Sequence, residues 1–240
     1  MDVDAATLDR LLDLQAEDSA IRRLQDRKSS LPEAARLREV TDRLSELTAD
    51  YEIARRQLDD IAREQARLEG EMEVLEEKIA REEQRMYSGS VANPKELSSL
   101  QSEVEMLKRK KAEGEDLLLE VMVNRESAGS TAESLSTERS EAEREAEELQ
   151  AAVEHLTREI DEELAGHTAR RAEVTGSIPA ALLRTYDGIR ESRGGVGAAE
   201  LVGGTCQGCH TKLPQVEVER VTREGGLQRC DNCRRILVVR

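Results

Sequence analysis

A heptad repeat of apolar residues constrains the fold of this chain more than any other feature of its sequence. From Leu37 to Met86 the apolar spacing alternates between three and four residues, and the positions between are mostly Glu, Asp, Arg and Gln. A 3.5-residue period sustained over about seven heptads specifies a left-handed coiled coil rather than an ordinary surface helix. The predicted seam consists of Leu37, Val40, Leu44, Leu47, Tyr51, Ala54, Leu58, Ile61, Gln65, Leu68, Met72, Leu75, Ile79, Glu82 and Met86.

A second helical stretch of the same length follows the first. The repeat stops at residues 87–92, and Asn93-Pro94 then has the features of a helix start, with Asn93 as the cap and Pro94 in the first turn. A weaker seam, interrupted by polar residues, runs from Leu97 to Ile160. Two long stretches joined by a short loop predict an antiparallel helical hairpin, in which residues i and about 180 − i face each other. Ser30-Leu31-Pro32-Glu33 also predicts a helix break, with a new helix from Pro32.

The composition agrees with a mostly α-helical coiled coil. The chain has no Phe, no Trp and only three Tyr, whereas a globular domain of this length normally buries several aromatic side chains. Residues 177–240 carry 10 basic and 7 acidic side chains, and the preceding 176 residues carry 26 basic and 44 acidic ones. The strongly acidic part should repel a phosphate backbone, so we expect different partners for the two parts.

We expect a cytoplasmic protein. No apolar run approaches the ~20 residues that a membrane-spanning helix needs. The N-terminal residues Met1–Asp4 lack the basic start and apolar stretch of a signal peptide.

Two CxxC pairs predict a metal site near the C-terminus. Cys206, Cys209, Cys230 and Cys233 are the chain's only cysteines, and twenty residues separate the pairs. This is the spacing of a structural zinc site in which four thiolates hold one Zn²⁺ and leave no position for a substrate. Two disulfides or a redox dithiol pair are the alternative, which the apparent lack of a secretory signal disfavours. We interpret His210, which follows Cys209, as a surface residue.

The C-terminal part should form a second, smaller domain. We predict a division into residues 1–176, the hairpin, and residues 177–240, a short helix plus a zinc ribbon. Residues 178–186 suggest a short apolar helix that anchors the ribbon to the hairpin. A strand should precede Cys206, Glu224–Gly226 should form a hairpin turn between strands, and residues 236–239 should form a closing strand.

The whole pattern resembles the bacterial family of C4-type zinc-ribbon proteins with a long N-terminal coiled-coil hairpin. The resemblance rests on residues 87–89 and 93–97 at the turn, on 193–196 and 206–210 with Leu213-Pro214, and on 229–237. It implies one zinc ion on the four cysteines and an adaptor or chaperone-like role. Some members of the family are linked to flagellar or type III secretion and to alternative sigma-factor control, and nucleic-acid binding has been proposed by analogy with ribbons of the transcription machinery.

The sequence favours a non-catalytic protein. It contains no evident nucleophile–base set, open metal site or phosphate-binding loop, so we do not expect an enzyme.

The leading hypothesis is an adaptor whose coiled coil binds protein partners, with Tyr87 and Val91 at the turn as contact residues. The alternative is a regulator that binds RNA or a transcription complex. Homodimerisation stays open, and His155 and His167 are interpreted as solvated. The candidate nucleic-acid contacts are Arg220, Arg223, Arg229, Arg234 and Arg235.

Overall fold

The structure, a computed structural model, describes residues 3–239. Long helices occupy most of this range, and a small sheet with one short helix occupies its C-terminal end. The elements in chain order are α1 (Ala5–Ser29), α2 (Pro32–Tyr87), α3 (Pro94–Gly176), α4 (Ala180–Ser192), β1 (Ala198–Val202), β2 (Thr205–Cys206), α5 (Gln215–Glu224), β3 (Gln228–Arg229) and β4 (Ile236–Val238).

The breaks between the long helices lie where the sequence predicts them. The α1 helix ends at Ser29 and α2 begins at Pro32, which has no backbone N–H to leave unpaired in a first turn. The Ser30 hydroxyl donates to the Asp26 carbonyl at 2.7 Å, so it is directed toward the helix it follows. At the far turn, Asn93 Oδ1 accepts a hydrogen bond from the Lys95 amide at 3.0 Å, which confirms its capping role.

Residues 36–148 form one compact unit, an antiparallel helical hairpin. All predicted seam positions of α2 are buried or half-buried, as the heptad pattern requires. Facing residues include Arg36 with Glu145 and Lys108 with Glu83, whose numbers sum to 181 and 191, close to the predicted sum. Polar Gln65 on the α2 seam accepts a hydrogen bond from Arg125 on the α3 seam at 3.1 Å, so the two polar positions compensate each other.

The second compact unit comprises the described residues up to 35 and from 149 onward. In its core Leu11 and Leu14 of α1, both fully buried, pack with Leu182 and Tyr186 of α4. The predicted apolar helix is therefore present and packs against the N-terminal helix. The division of the chain at residue 176 into two domains stays a prediction, although α3 ends at that residue.

The sheet separates two apolar clusters. Its strand order is β2-β1-β4-β3, with β1 and β4 parallel and the other pairs antiparallel. Ala198 and Ile236 pack on the α1 and α4 side, whereas Ala199 and Leu237 pack with the cysteines on the other side. This alternation is the period of two that a strand imposes on its side chains.

One predicted element is wrong. The sequence suggests a hairpin turn at Glu224–Gly226 between two strands, but the segment before the turn is the helix α5. Pro214 precedes this helix, and Val218 and Val221, three residues apart, pack on the cysteine side of the sheet. Gly225, with φ of 60°, then ends the helix, and the predicted closing strand is present as β4.

No helix among residues 3–239 combines the length and the apolarity that crossing a membrane requires.

Candidate metal centre

The four cysteines converge on one point. Their Sγ atoms all lie within 4.8 Å of one another, and Cys206 pairs with Cys233, and Cys209 with Cys230, at 3.9 Å. Zn–S bonds of about 2.3 Å place the sulfur atoms of a tetrahedron about 3.8 Å apart, so the observed distances fit one zinc ion bound by all four. All four cysteines are free thiols, and no disulfide joins them. The four cysteines therefore fit one structural Zn²⁺, which all four thiolates would hold.

The two CxxC segments have the same backbone geometry. The His210 amide donates to the Cys206 carbonyl at 2.8 Å, and the Arg234 amide donates to the Cys230 carbonyl at the same distance. The residues that close these turns, His210 and Arg234, have φ of 57° and 62°, values uncommon for side chains larger than Gly. His210 is exposed, as predicted, and lies outside the sulfur cluster. Both segments therefore present their thiols from matching tight turns.

The thiols differ in how readily they ionise. Burial raises the pKa of the Cys206 thiol to about 12 and also raises the pKa of Cys230. Burial opposes ionisation of Cys209 too, but hydrogen bonds from Thr211 and Asn232 outweigh it and lower its pKa to about 6. Zinc binds thiolates, so ligation must remove the protons that Cys206 and Cys230 hold at neutral pH.

Arg235 ties the metal site to the preceding loop. Its guanidinium donates to three backbone carbonyls, those of Val196 at 3.0 Å, Gly208 at 2.7 Å and Arg193 at 2.7 Å. A Cβ atom at Gly208 would lie 2.6 Å from Arg235 Cδ and 2.9 Å from Ala199 Cβ, so only glycine fits inside this CxxC segment. The Arg235 side chain is therefore occupied within the ribbon.

A buried polar cluster, which sequence reasoning missed, holds the ribbon side of this unit to the long helices. Asp18 of α1, with 3% of its side chain exposed, accepts from Arg171 of α3 at 2.6 Å and from the Tyr186 hydroxyl at 2.7 Å. Gln15 Oε1 accepts from the Gly197 amide at 2.6 Å, and Gln15 Nε2 donates to the Gly195 carbonyl at 3.1 Å. One turn of α1 thus satisfies polar groups of α3, of α4 and of the loop before β1.

The interpretation of His167 as a solvated residue is wrong. Its Nδ1 lies 2.7 Å from Glu17 Oε2, and Arg170 lies 3.3 Å from the same carboxylate. Sequence reasoning missed the pair because Glu17 is on α1, 150 residues away from His167. His155 does keep an exposed side chain. The only sequence signal for the contact was the position of both residues on helices that the hairpin brings together.

The candidate nucleic-acid residues fall into two groups. Arg220 donates to Gln228 Oε1 at 3.0 Å and Arg235 to the three carbonyls, so both serve contacts within the ribbon. Arg223, Arg229 and Arg234 are exposed, and Arg234 has 64% of its side chain accessible. Contact of the five arginines with nucleic acid stays a prediction.

The candidate protein contacts at the hairpin turn also differ from each other. Tyr87, the last residue of α2, is 80% exposed. Val91 is half-buried and therefore presents less accessible surface than Tyr87. Tyr87 is therefore the better placed of the two for binding a partner.

Comparisons with known proteins agree with these observations. Residues 14–194 match the CT398-like coiled coil hairpin domain, and residues 205–237 match the C4-type zinc ribbon domain. The chain is 29% identical to the uncharacterized protein Rv2229c of Mycobacterium tuberculosis over 95% of this chain and 93% of that protein. A solved structure from Mycobacterium smegmatis is similar with a TM-score of 0.82 and 27% identity, covering 99% of this chain and all of that one. CT398 from Chlamydia trachomatis has a similar fold, with a TM-score of 0.68, 18% identity and 98% of each chain covered.

Proposed function

This chain belongs to the family of proteins with a CT398-like coiled-coil hairpin, here followed by a C4-type zinc ribbon, and we propose that it is a non-catalytic adaptor. The hairpin binds a protein partner, and the ribbon is a second binding head. The observation that carries the proposal is Tyr87, an aromatic side chain left 80% exposed at the hairpin turn. Tyr is enriched in protein interfaces because it supplies a large contact area with little conformational entropy to lose.

The metal site supports a role in binding rather than in chemistry. Four sulfur ligands fill the tetrahedral coordination of zinc, so no position remains for water or substrate. Two of the thiols, Cys206 and Cys230, are fully buried. Zinc bound by these four cysteines would stabilise the ribbon.

The polar cluster supports a ribbon that is presented in a fixed orientation. Gln15 and Asp18 of α1 bind the loop before β1 and the α4 helix through buried hydrogen bonds. Buried hydrogen bonds of this kind are costly to break, because each released polar group loses its partner away from water. Within its own compact unit the ribbon is therefore held to α1 by buried contacts, which suits a binding head with a defined surface.

Replacing Tyr87 tests the proposal. Tyr87→Ser should remove at least one partner from an affinity pull-down with the native cell extract, while zinc content and helicity stay at wild-type values. The matched control is Val74→Ser, since Val74 is a 50% exposed apolar residue on the same helix. If both variants recover the same partners at the same yield as wild type, the turn binds nothing and the adaptor proposal fails.

A nucleic-acid-binding regulator is the alternative function. Three exposed arginines, Arg223, Arg229 and Arg234, favour it, because they lie on a ribbon part with a surplus of basic residues. Phosphate binding weakens steeply with salt, whereas an apolar protein contact does not. A labelled RNA oligonucleotide that binds with a steep salt slope, and that loses affinity in Arg229→Glu with Arg234→Glu, would favour this alternative. Nuclease treatment of the pull-down separates partners held through RNA from those held directly.

A further inference from the structure

An apolar patch on the outer side of α3 is not covered within the described chain. Leu119, Met122 and Val123 occupy positions i, i+3 and i+4, and so share one helix face. Their exposed fractions are 61%, 46% and 66%. The seam residues next to them, Leu118 and Val121, are half-buried. The patch is therefore additional to the residues that close the hairpin.

The same hairpin has an uneven charge distribution. Residues 78–111, which surround the turn, carry 8 basic and 5 acidic side chains, a net charge of +3. The rest of the 36–148 unit carries 10 basic and 25 acidic side chains, a net charge of −15. The patch at residues 119–123 lies just beyond the border between the basic and the acidic segments. One chain thus offers both halves of an electrostatically complementary contact.

We propose that two copies of the chain associate through this patch as an antiparallel pair with twofold symmetry. An axis near residue 121 brings Leu119 of one copy against Val123 of the other, and places Met122 next to its own counterpart. A twofold interface of this kind uses the same surface of each copy and closes on itself. The inference is independent of the adaptor role, because self-association requires no foreign partner.

The charges select the antiparallel orientation. With the axis near residue 121, residues 94–111 of one copy lie over residues 131–148 of the other. The first segment has 5 basic and 3 acidic side chains, and the second has 2 basic and 7 acidic ones, so +2 faces −5 twice. A parallel arrangement would place +2 on +2 and −5 on −5, and like charges across a coiled-coil contact are unfavourable. A second copy therefore fits the patch in one orientation.

Cysteine cross-linking tests the orientation directly. Met122→Cys should form a disulfide-linked dimer under mild oxidation, because a residue near a twofold axis faces itself within the ~4.4–6.8 Å that a disulfide spans between Cα atoms. Glu141→Cys, exposed on the same helix, should form no disulfide-linked dimer alone but should cross-link when mixed with Gln101→Cys, since residues 101 and 141 lie at equal distances on either side of residue 121. The zinc-bound native cysteines are protected by performing the oxidation with zinc present.

Sedimentation velocity tests the patch itself. Leu119→Asn with Val123→Asn should weaken the dimer at least tenfold without loss of helicity, whereas the control Ile53→Asn with Val74→Asn, both 50% exposed, should leave it unchanged. Added salt should weaken the dimer as well. A chain that is monomeric at all concentrations overturns the inference and leaves the patch to a foreign partner. Efficient self-cross-linking of Glu141→Cys, or a dimer unchanged by the Leu119 and Val123 substitutions, overturns it too.

Discussion

Removing one oxygen atom from the buried polar cluster should destabilise the ribbon-bearing unit by a measurable amount. Tyr186→Phe keeps the ring that fills the core and deletes the hydroxyl, which donates to Asp18 Oδ2 at 2.7 Å. Asp18 is 3% exposed and keeps Arg171 on its other oxygen, so the lost bond is a charge-assisted one to a buried carboxylate. Such bonds contribute about 1.5–3 kcal/mol, and we expect a loss of about 2 kcal/mol in the free energy of unfolding of this unit.

The environment of the hydroxyl supports this magnitude. Burial, and then the hydrogen bond to Asp18, raise the pKa of Tyr186, as expected for a phenol that acts as a donor to a carboxylate. Gln15 Oε1, which the hydroxyl also contacts at 3.2 Å, keeps the Gly197 amide as its partner in the variant. The loss should therefore fall on Asp18 alone.

Hydrogen exchange measured by mass spectrometry gives the assay. A loss of about 2 kcal/mol should speed the exchange of amides in α4 and β1 by about 30-fold if those amides exchange through opening of this unit. The control Tyr51→Phe removes a hydroxyl that lies 3.4 Å from Arg55 and is half-buried, so it should change stability by less than about 0.5 kcal/mol. Equal effects of the two variants, or strict additivity of Tyr186→Phe with Asp18→Asn in a double-mutant cycle, would refute the reasoning.

Two further predictions concern the metal and the hairpin. At pH 7.4 zinc binding should release at least two protons, from Cys206 and Cys230, because burial raises the pKa of both thiols. Calorimetry in buffers of different ionisation enthalpy measures the number of protons released. Cys230→Ser should abolish stoichiometric zinc binding while the hairpin keeps its helicity. Gly70→Ala, with open space around the new Cβ, should stabilise the hairpin by about 1 kcal/mol in a urea melt. Gly114→Ala should gain less, because its Cβ would meet the Met72 side chain, and an equal gain at both positions would contradict this packing.

Local signals in the sequence are sufficient for the three long helices and the metal site. Pro32 marks a helix start because it lacks a backbone N–H, and Asn93 marks one because its side chain caps the helix. The heptad spacing predicts the coiled-coil hairpin without any long-range information. The metal site can be predicted in the same way, because each CxxC pair is a local motif and four-coordinate zinc requires both pairs. These features could be read from neighbouring residues alone.

The contacts that hold the ribbon to α1 and α4 could not be predicted from the sequence. Asp18 and Tyr186 are 168 residues apart, and nothing near either residue identifies the other as its partner. Arg235 is predicted from the sequence as a nucleic-acid contact, whereas in the structure it donates to backbone carbonyls that lie up to 42 residues away. The α5 helix was missed for a local reason, because the Gly pair after Glu224 suggested a turn between strands.

The participation of α1 in the core beneath the ribbon has a practical consequence for work with fragments. A ribbon fragment expressed from residue 177 onward would retain its four cysteines but lose Leu11 and Leu14, and it would expose the buried side of Leu182 and Tyr186. Such a fragment would bind zinc and still adhere to unrelated proteins through this uncovered surface. Its binding partners would then reflect the truncation and not the interactions of the intact chain. Ribbon-specific binding is better mapped by point substitution in the 240-residue chain, or in a fusion that carries residues 3–35 alongside the ribbon.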